Sequence, residues 1–152
     1  MTARVWVGVA LLLCLGVALG SLREFVFINL NYQVAHAAGQ TPWSYAHSAM
    51  QRLLVGWSLG DLLRLKWAMA LCFVALMGSL TFLTARLLFG RRLDRTVVAG
   101  YLAIGTLSLL LHLLGGRLPF TASAGVKLLH LLQYPMPLLV LVVARFMPGE
   151  RA

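Results

Sequence analysis

The chain has 152 residues, of which 61% are hydrophobic and 11% charged, where an ordinary soluble domain is roughly a quarter charged. A soluble domain this small buries only about two-thirds of its unfolded surface, too little to hide so much apolar side chain, so lipid must solvate much of it. Thirteen basic residues against four acids give a net charge of +9; set beside apolar runs, that excess points to headgroups and membrane orientation rather than to nucleic acid.

The first apolar run covers residues 5–22, close to the ~20 residues that cross a bilayer at about 1.5 Å per residue. Its flanks admit a second reading. Met1-Thr2-Ala3-Arg4, the run itself and Ala18-Leu19-Gly20 have the layout of a secretory signal peptide cut before Ser21. Gly16 and Gly20 form a GxxxG pair, the spacing that lets a neighbouring helix approach closely.

Residues 23–66 are not a span and are expected outside the membrane. Residues 23–32, with Glu24 near their start, either extend the first helix or run along the interface, and periodicity leaves both open. Thr41 followed by Pro42 predicts a helix start, hydroxyl as N-cap and proline in the first turn. Trp43, Ala46, Met50, Leu53, Leu54 and Trp57 then recur at helical spacing, opposite Ser44, His47, Ser48, Gln51 and Arg52. That is the pattern of an interfacial amphipathic helix. Gly56 breaks it, and Ser58 with Asp61 reads as a capping box flanked by a Trp57–Leu62 hydrophobic staple. This second helix is expected to continue into a span at 67–89. Trp43, Trp57 and Trp67 would then mark one membrane surface as an aromatic belt.

Only Gly90-Arg91-Arg92-Leu93-Asp94-Arg95 separates that span from the next, 96–114, so the two must be antiparallel neighbours. Gly115, Gly116 and Pro119 turn the chain again before a fourth span at 128–147. Within it, Pro135-Met136-Pro137 removes two amides and predicts a kink that frees the carbonyls of Leu131 and Gln133. The short arginine loop, with Arg4, Arg86, Arg145 and Arg151, gathers basic residues on one side. Arg23, Arg52, Arg64, Lys66, Arg117 and Lys127 are spread over longer segments of the other. Density favours the arginine loop and both termini as cytoplasmic.

Three patterns bear on chemistry. Gly56-Trp57-Ser58-Leu59-Gly60 matches GxSxG, the hydrolase nucleophile elbow, but that elbow needs a strand before the serine on an α/β sheet. An intramembrane serine hydrolase pairing Ser58 with His112 or His130 is the remote version of this reading. Secondly, His112 and His130 each fall about one turn inside a predicted span, at similar depth. Tyr101, Gly105, Ser108 and His112 follow one helical face, while His130, Gln133 and Tyr134 share another. With Glu24, these form a candidate small-molecule, quinone, metal or proton site; alternatively the polar groups only hydrogen-bond between helices. His36 and His47 are expected in solvent. Thirdly, Cys14 and Cys72 lie alone inside apolar runs, as small buried side chains do. No phosphate loop, HExxH, dinucleotide fingerprint or catalytic carboxylate pair occurs in the sequence.

The fold class expected is all-α: a polytopic integral membrane protein, one domain over 1–152, with a four-helix transmembrane bundle and an external interfacial helix. The function expected is a non-catalytic subunit or accessory factor of a larger complex in the plasma or inner membrane. Its partners would be the bilayer and a membrane protein or a second copy, with no cofactor and no nucleic acid.

Overall fold

A computed structural model describes residues 3–115 and 119–146, and among them every regular element is helical. The helices are α1 (Ala3–Ala37), α2 (Ser48–Leu53), α3 (Leu59–Phe89), α4 (Asp94–Leu114), α5 (Pro119–Gln133) and α6 (Met136–Phe146), with a 3-10 turn at Gly90–Leu93. Two helical stretches, Ala3–Ala37 and Leu59–Leu114, are long and apolar enough to cross a membrane. A third exists if Ser123–Gln133 and Met136–Phe146, bent by 61° at the break between them, act as one. Only 17% and 11% of the apolar windows of the first two stretches are buried, so most of their hydrocarbon surface is left for lipid.

The chain divides into two compact units, residues 1–20 with 74–152, and residues 21–73. In the first, an antiparallel order can be followed residue by residue. Gly8 of α1 abuts Leu87 of α3, and Gly16 abuts Leu80, so these two helices run in opposite directions. Gly90 has φ +66°, a left-handed conformation that costs glycine nothing and lets the chain reverse sharply. After it, Asp94 returns to Arg86 at 2.9 Å and Tyr101 to Thr81 at 2.9 Å, so α4 lies antiparallel to α3 as the short link predicts. The chain turns again after Leu114, and Gly125 of α5 lies against Ser108, Leu111 and His112 of α4. Finally α6 runs back along α1, with Leu138 and Pro135 against Gly16 and the Phe146 ring stacked on Trp6 at 5.2 Å. The core of this unit is Met77, Leu80 and Leu138, with Leu12, Leu13 and Leu19 packed around it.

The GxxxG glycines are thus used within the chain. Gly16 and Gly20 both receive Pro135 at the α5–α6 break, at 3.6 and 3.5 Å from where a Cβ would stand. The kink expected at Pro135 is a full break: residues 134 and 135 leave the helix, and the expected fourth span consists of two separate helices.

In the second unit, residues 21–37 of α1, α2 and residues 59–73 of α3 surround Leu30, Leu54 and Leu62, with Val34, Met50 and Leu65 at the edge. The first helix does not stop near residue 22. It runs 35 residues, about 52 Å at 1.5 Å per residue, well beyond a hydrocarbon core of about 30 Å. The helix expected from Thr41 is absent. The Thr41 hydroxyl donates to the Trp43 carbonyl (2.9 Å) instead of accepting an amide, and the Thr41 carbonyl meets Nδ1 of His36 (3.2 Å). The helix begins at Ser48, where His47 caps it by accepting the Ala49 amide on Nδ1 (3.3 Å), and it lasts six residues.

Candidate functional site

Four of the five candidate polar residues belong to the first unit. His112 is half-buried in the last turn of α4, and its carbonyl accepts the Gly115 amide that closes the helix (3.1 Å). His130 is half-buried in the last turn of α5, Gln133 is buried at the end of that helix, and Tyr134 stands in the break before Pro135. The register between α4 and α5 is set by the Ser108 hydroxyl, which donates to the Gly125 carbonyl at 2.7 Å. Gly125 therefore lies level with His112. His130 follows five residues later, about 7 Å further along α5, so the two histidines are offset by more than a turn rather than matched in depth. Glu24 belongs to the second unit, where it pairs with Arg23 at 3.2 Å. Among the described residues no group of three or more His, Cys, Asp or Glu side chains could hold a metal ion.

The polar stripe on α4 is divided between two neighbours. Tyr101 hydrogen-bonds Thr81 of α3, while Ser108 bonds the backbone of α5. On α3, Thr81 and Thr84 also donate to the carbonyls of Met77 and Leu80, at 2.8 Å each. These hydroxyls satisfy themselves on helix backbones and bind helices together, which is how polar groups in an apolar bundle are usually accommodated.

Ser58 is similarly occupied. Its hydroxyl accepts the Asp61 amide (3.3 Å) and donates to the Asp61 carboxylate (2.6 Å). The sequence predicts that the carboxylate reaches back to the Ser58 amide, and it meets the hydroxyl instead. The carboxylate is also met by Arg64 at 3.4 Å. A short helix precedes Ser58 and a long one follows it, the reverse of the strand that an elbow serine requires.

Composition did not single out a set of braces in the second unit. Residues 38–47 have no regular structure, yet side chains from both flanks tie them down. Asn29 donates to the Phe25 carbonyl (2.7 Å) and accepts the His47 amide on its Oδ1. The Gln51 amide group donates to the carbonyls of Ser44 (2.9 Å) and Ala46 (2.6 Å). The Phe25 ring meets the His47 imidazole edge-on at 5.8 Å, and Tyr32 meets Tyr45 at 6.0 Å. The braced segment and α2 leave Trp43, Leu53 and Val55 at least 70% exposed, with Tyr45 close behind. Beside them opens a cleft of about 340 Å³ whose polar lining includes Gln33, His36, Ser44 and Gln51. Asn29 and Gln33, buried at the interior of a long apolar helix, were the available signal, since an apolar helix rarely buries carboxamides without a bonding partner.

Comparison of the chain with family models, with curated proteins and with solved structures found no match.

Proposed function

We propose that this chain crosses the membrane four times, with both termini and the arginine loop in the cytoplasm, and serves as a non-catalytic subunit of a larger membrane assembly. The path of the first unit supports an even number of crossings. Trp6 stacks on Phe146 and Gly8 lies against Leu87, which brings the first, last and mid-chain turns to one end. Arg4, Arg86, Arg91, Arg92, Arg95 and Arg145 fall at that end, the distribution expected of a cytoplasmic face. The bent α5–α6 pair is the fourth crossing in this reading.

One observation carries the subunit role: the braced, irregular surface of the second unit. Asn29 and Gln51 tie down the backbone of Ser44, Ala46 and His47, and Trp43 and Tyr45 beside them, Leu53 at the end of α2 and Val55 in the turn after it are all exposed. Preorganised aromatic and aliphatic side chains on a rigid loop are what a protein interface needs, because little entropy is lost when they dock. In the four-span reading this surface is external, and it accepts a membrane-protein partner there. Purification of the tagged chain in mild detergent should yield a larger assembly. Val55→Glu should release the partner while leaving the thermal midpoint of the isolated chain unchanged. A wild-type chain that runs as a clean monomer under those conditions rejects the proposal.

A further inference from the structure

The α3–α4 hairpin carries two clefts that share a wall. One, of about 600 Å³, has Ala75, Gly78, Ser79 and Tyr101 in its lining; the other, of about 350 Å³, has Asp94 and Arg95. Phe82, Val98 and Leu102 line both, so they form one apolar furrow that ends at Arg95. From Val74 to Leu83 the furrow advances nine residues along α3, about 14 Å at 1.5 Å each. That is close to the depth of one leaflet, about 15 Å of a 30 Å hydrocarbon core.

The charge at its end is unbalanced. Arg86 is committed twice over: it grips Asp94 with two nitrogens, at 2.9 and 3.1 Å, and lies 4.6 Å over the Phe82 ring. That uses the only acid in this stretch of chain. Arg91, Arg92 and Arg95 are exposed, and no ion pair among the described residues includes them. An apolar furrow about one leaflet long, with Arg95 in its lining and Arg91 and Arg92 exposed in the adjoining turn, is complementary to an amphiphile with an anionic head.

We propose that this furrow binds one acyl chain of an anionic phospholipid, whose phosphate is held by Arg95 with Arg91 and Arg92. Guanidinium suits this because its fork of donors meets two phosphate oxygens at once. The site depends on the chain being embedded in lipid, not on which side faces the cytoplasm nor on the subunit role.

The test is native mass spectrometry of the full chain released from detergent, titrated with phosphatidylglycerol or with phosphatidylcholine of the same acyl chains. Phosphatidylglycerol should bind about tenfold tighter, since basic groups beside an anionic headgroup favour it over the zwitterionic lipid. Arg91→Gln/Arg92→Gln/Arg95→Gln, which keeps the Arg86–Asp94 pair, should abolish that preference; Arg95→Gln alone should reduce it. Ala75→Leu/Ser79→Leu fills the furrow with every arginine intact, and should weaken phosphatidylglycerol about tenfold. Both positions are exposed, so the helix tolerates the larger side chains. Equal binding of the two lipids by the wild type overturns the proposal. So does a preference that survives furrow filling, or one that soluble glycerophosphate competes away, since either means surface attraction alone. Recovery of the chain in the soluble fraction without detergent would instead overturn membrane embedding, a separate result.

Discussion

Among the described glycines, Gly125 is the one where an added Cβ would meet the nearest neighbour, the Ser108 backbone, so this contact decides how tightly α5 lies on α4. A Cβ on Gly125 would stand 2.7 Å from the Ser108 carbonyl oxygen and 3.0 Å from the His112 nitrogen, both backbone atoms that cannot swing aside. Gly125→Ala must therefore push the helices apart, and overpacking of this kind costs about 1–3 kcal/mol. Ser108→Ala removes the bond to the Gly125 carbonyl without a clash, and interhelical bonds of this type average about 0.6 kcal/mol. Unfolding in mixed micelles should rank Gly125→Ala well above Ser108→Ala in damage; the reverse order would mean the bond, rather than the close approach, holds the pair. At this scale the sequence was only partly legible. Ser108 and His112 stood out as polar residues on an apolar face, but nothing in the chain announced that Gly125 would sit opposite them. That register places the two histidines at different levels. Arg23 was similarly opaque. The sequence leaves residues 23–32 open between helix and interface, and Arg23 lies within α1, 3% exposed, paired with Glu24 and 4.8 Å over Phe27.

At the level of elements, the break at Pro135 is legible in the sequence, whereas the helix start at Thr41-Pro42 misleads. Thr41-Pro42 has the local chemistry of a helix start, and it loses to side-chain bonds from both flanks: Asn29, 18 residues away, on the His47 amide, and the nearer Gln51 on two carbonyls. A cap contributes about 1 kcal/mol, which several tertiary bonds outweigh. Pro135 had no such competition, because a missing amide cannot be restored from elsewhere. The two prolines of this break should not behave alike. Pro135 fills the space against Gly16 and Gly20, whereas Pro137 lies in the first turn of α6, where its missing amide has no intrahelical role. Pro135→Ala should let α5 and α6 approach a single helix; Pro137→Ala should leave the 61° bend in place. Spin labels at Lys127 and Val143 would move apart by about 3 Å on straightening, as helix rise and the bend require. Double electron–electron resonance resolves that change, and an equal shift in both variants would assign the bend to the helix contacts instead of to Pro135.

For the whole molecule, composition alone made lipid the solvent, since no arrangement of so short a chain hides this much hydrocarbon. The number of crossings was not legible to the same degree, and the reason is physical. Helical length and apolarity pick out two stretches, or three with the bent pair. The reversal that divides Leu59–Leu114 depends on one glycine with positive φ, and α5 and α6 are each shorter than a bilayer is thick. Single cysteines read the crossings directly once Cys14 and Cys72 are replaced by alanine. Arg92→Cys lies in the turn between α3 and α4, and Gly39→Cys lies beyond the end of α1. With four crossings and cytoplasmic termini, a membrane-impermeant maleimide added to intact cells labels the Gly39→Cys chain, and the Arg92→Cys chain only after the membrane is opened. Arg4→Cys and Arg145→Cys should follow Arg92→Cys, because the Trp6–Phe146 stack and the Gly8–Leu87 contact bring all three turns to one end. Labelling of Arg92→Cys from outside would invert the orientation. Labelling of Arg4→Cys and Arg145→Cys from opposite sides would make the number of crossings odd, and the bent helix pair would then be a re-entrant loop.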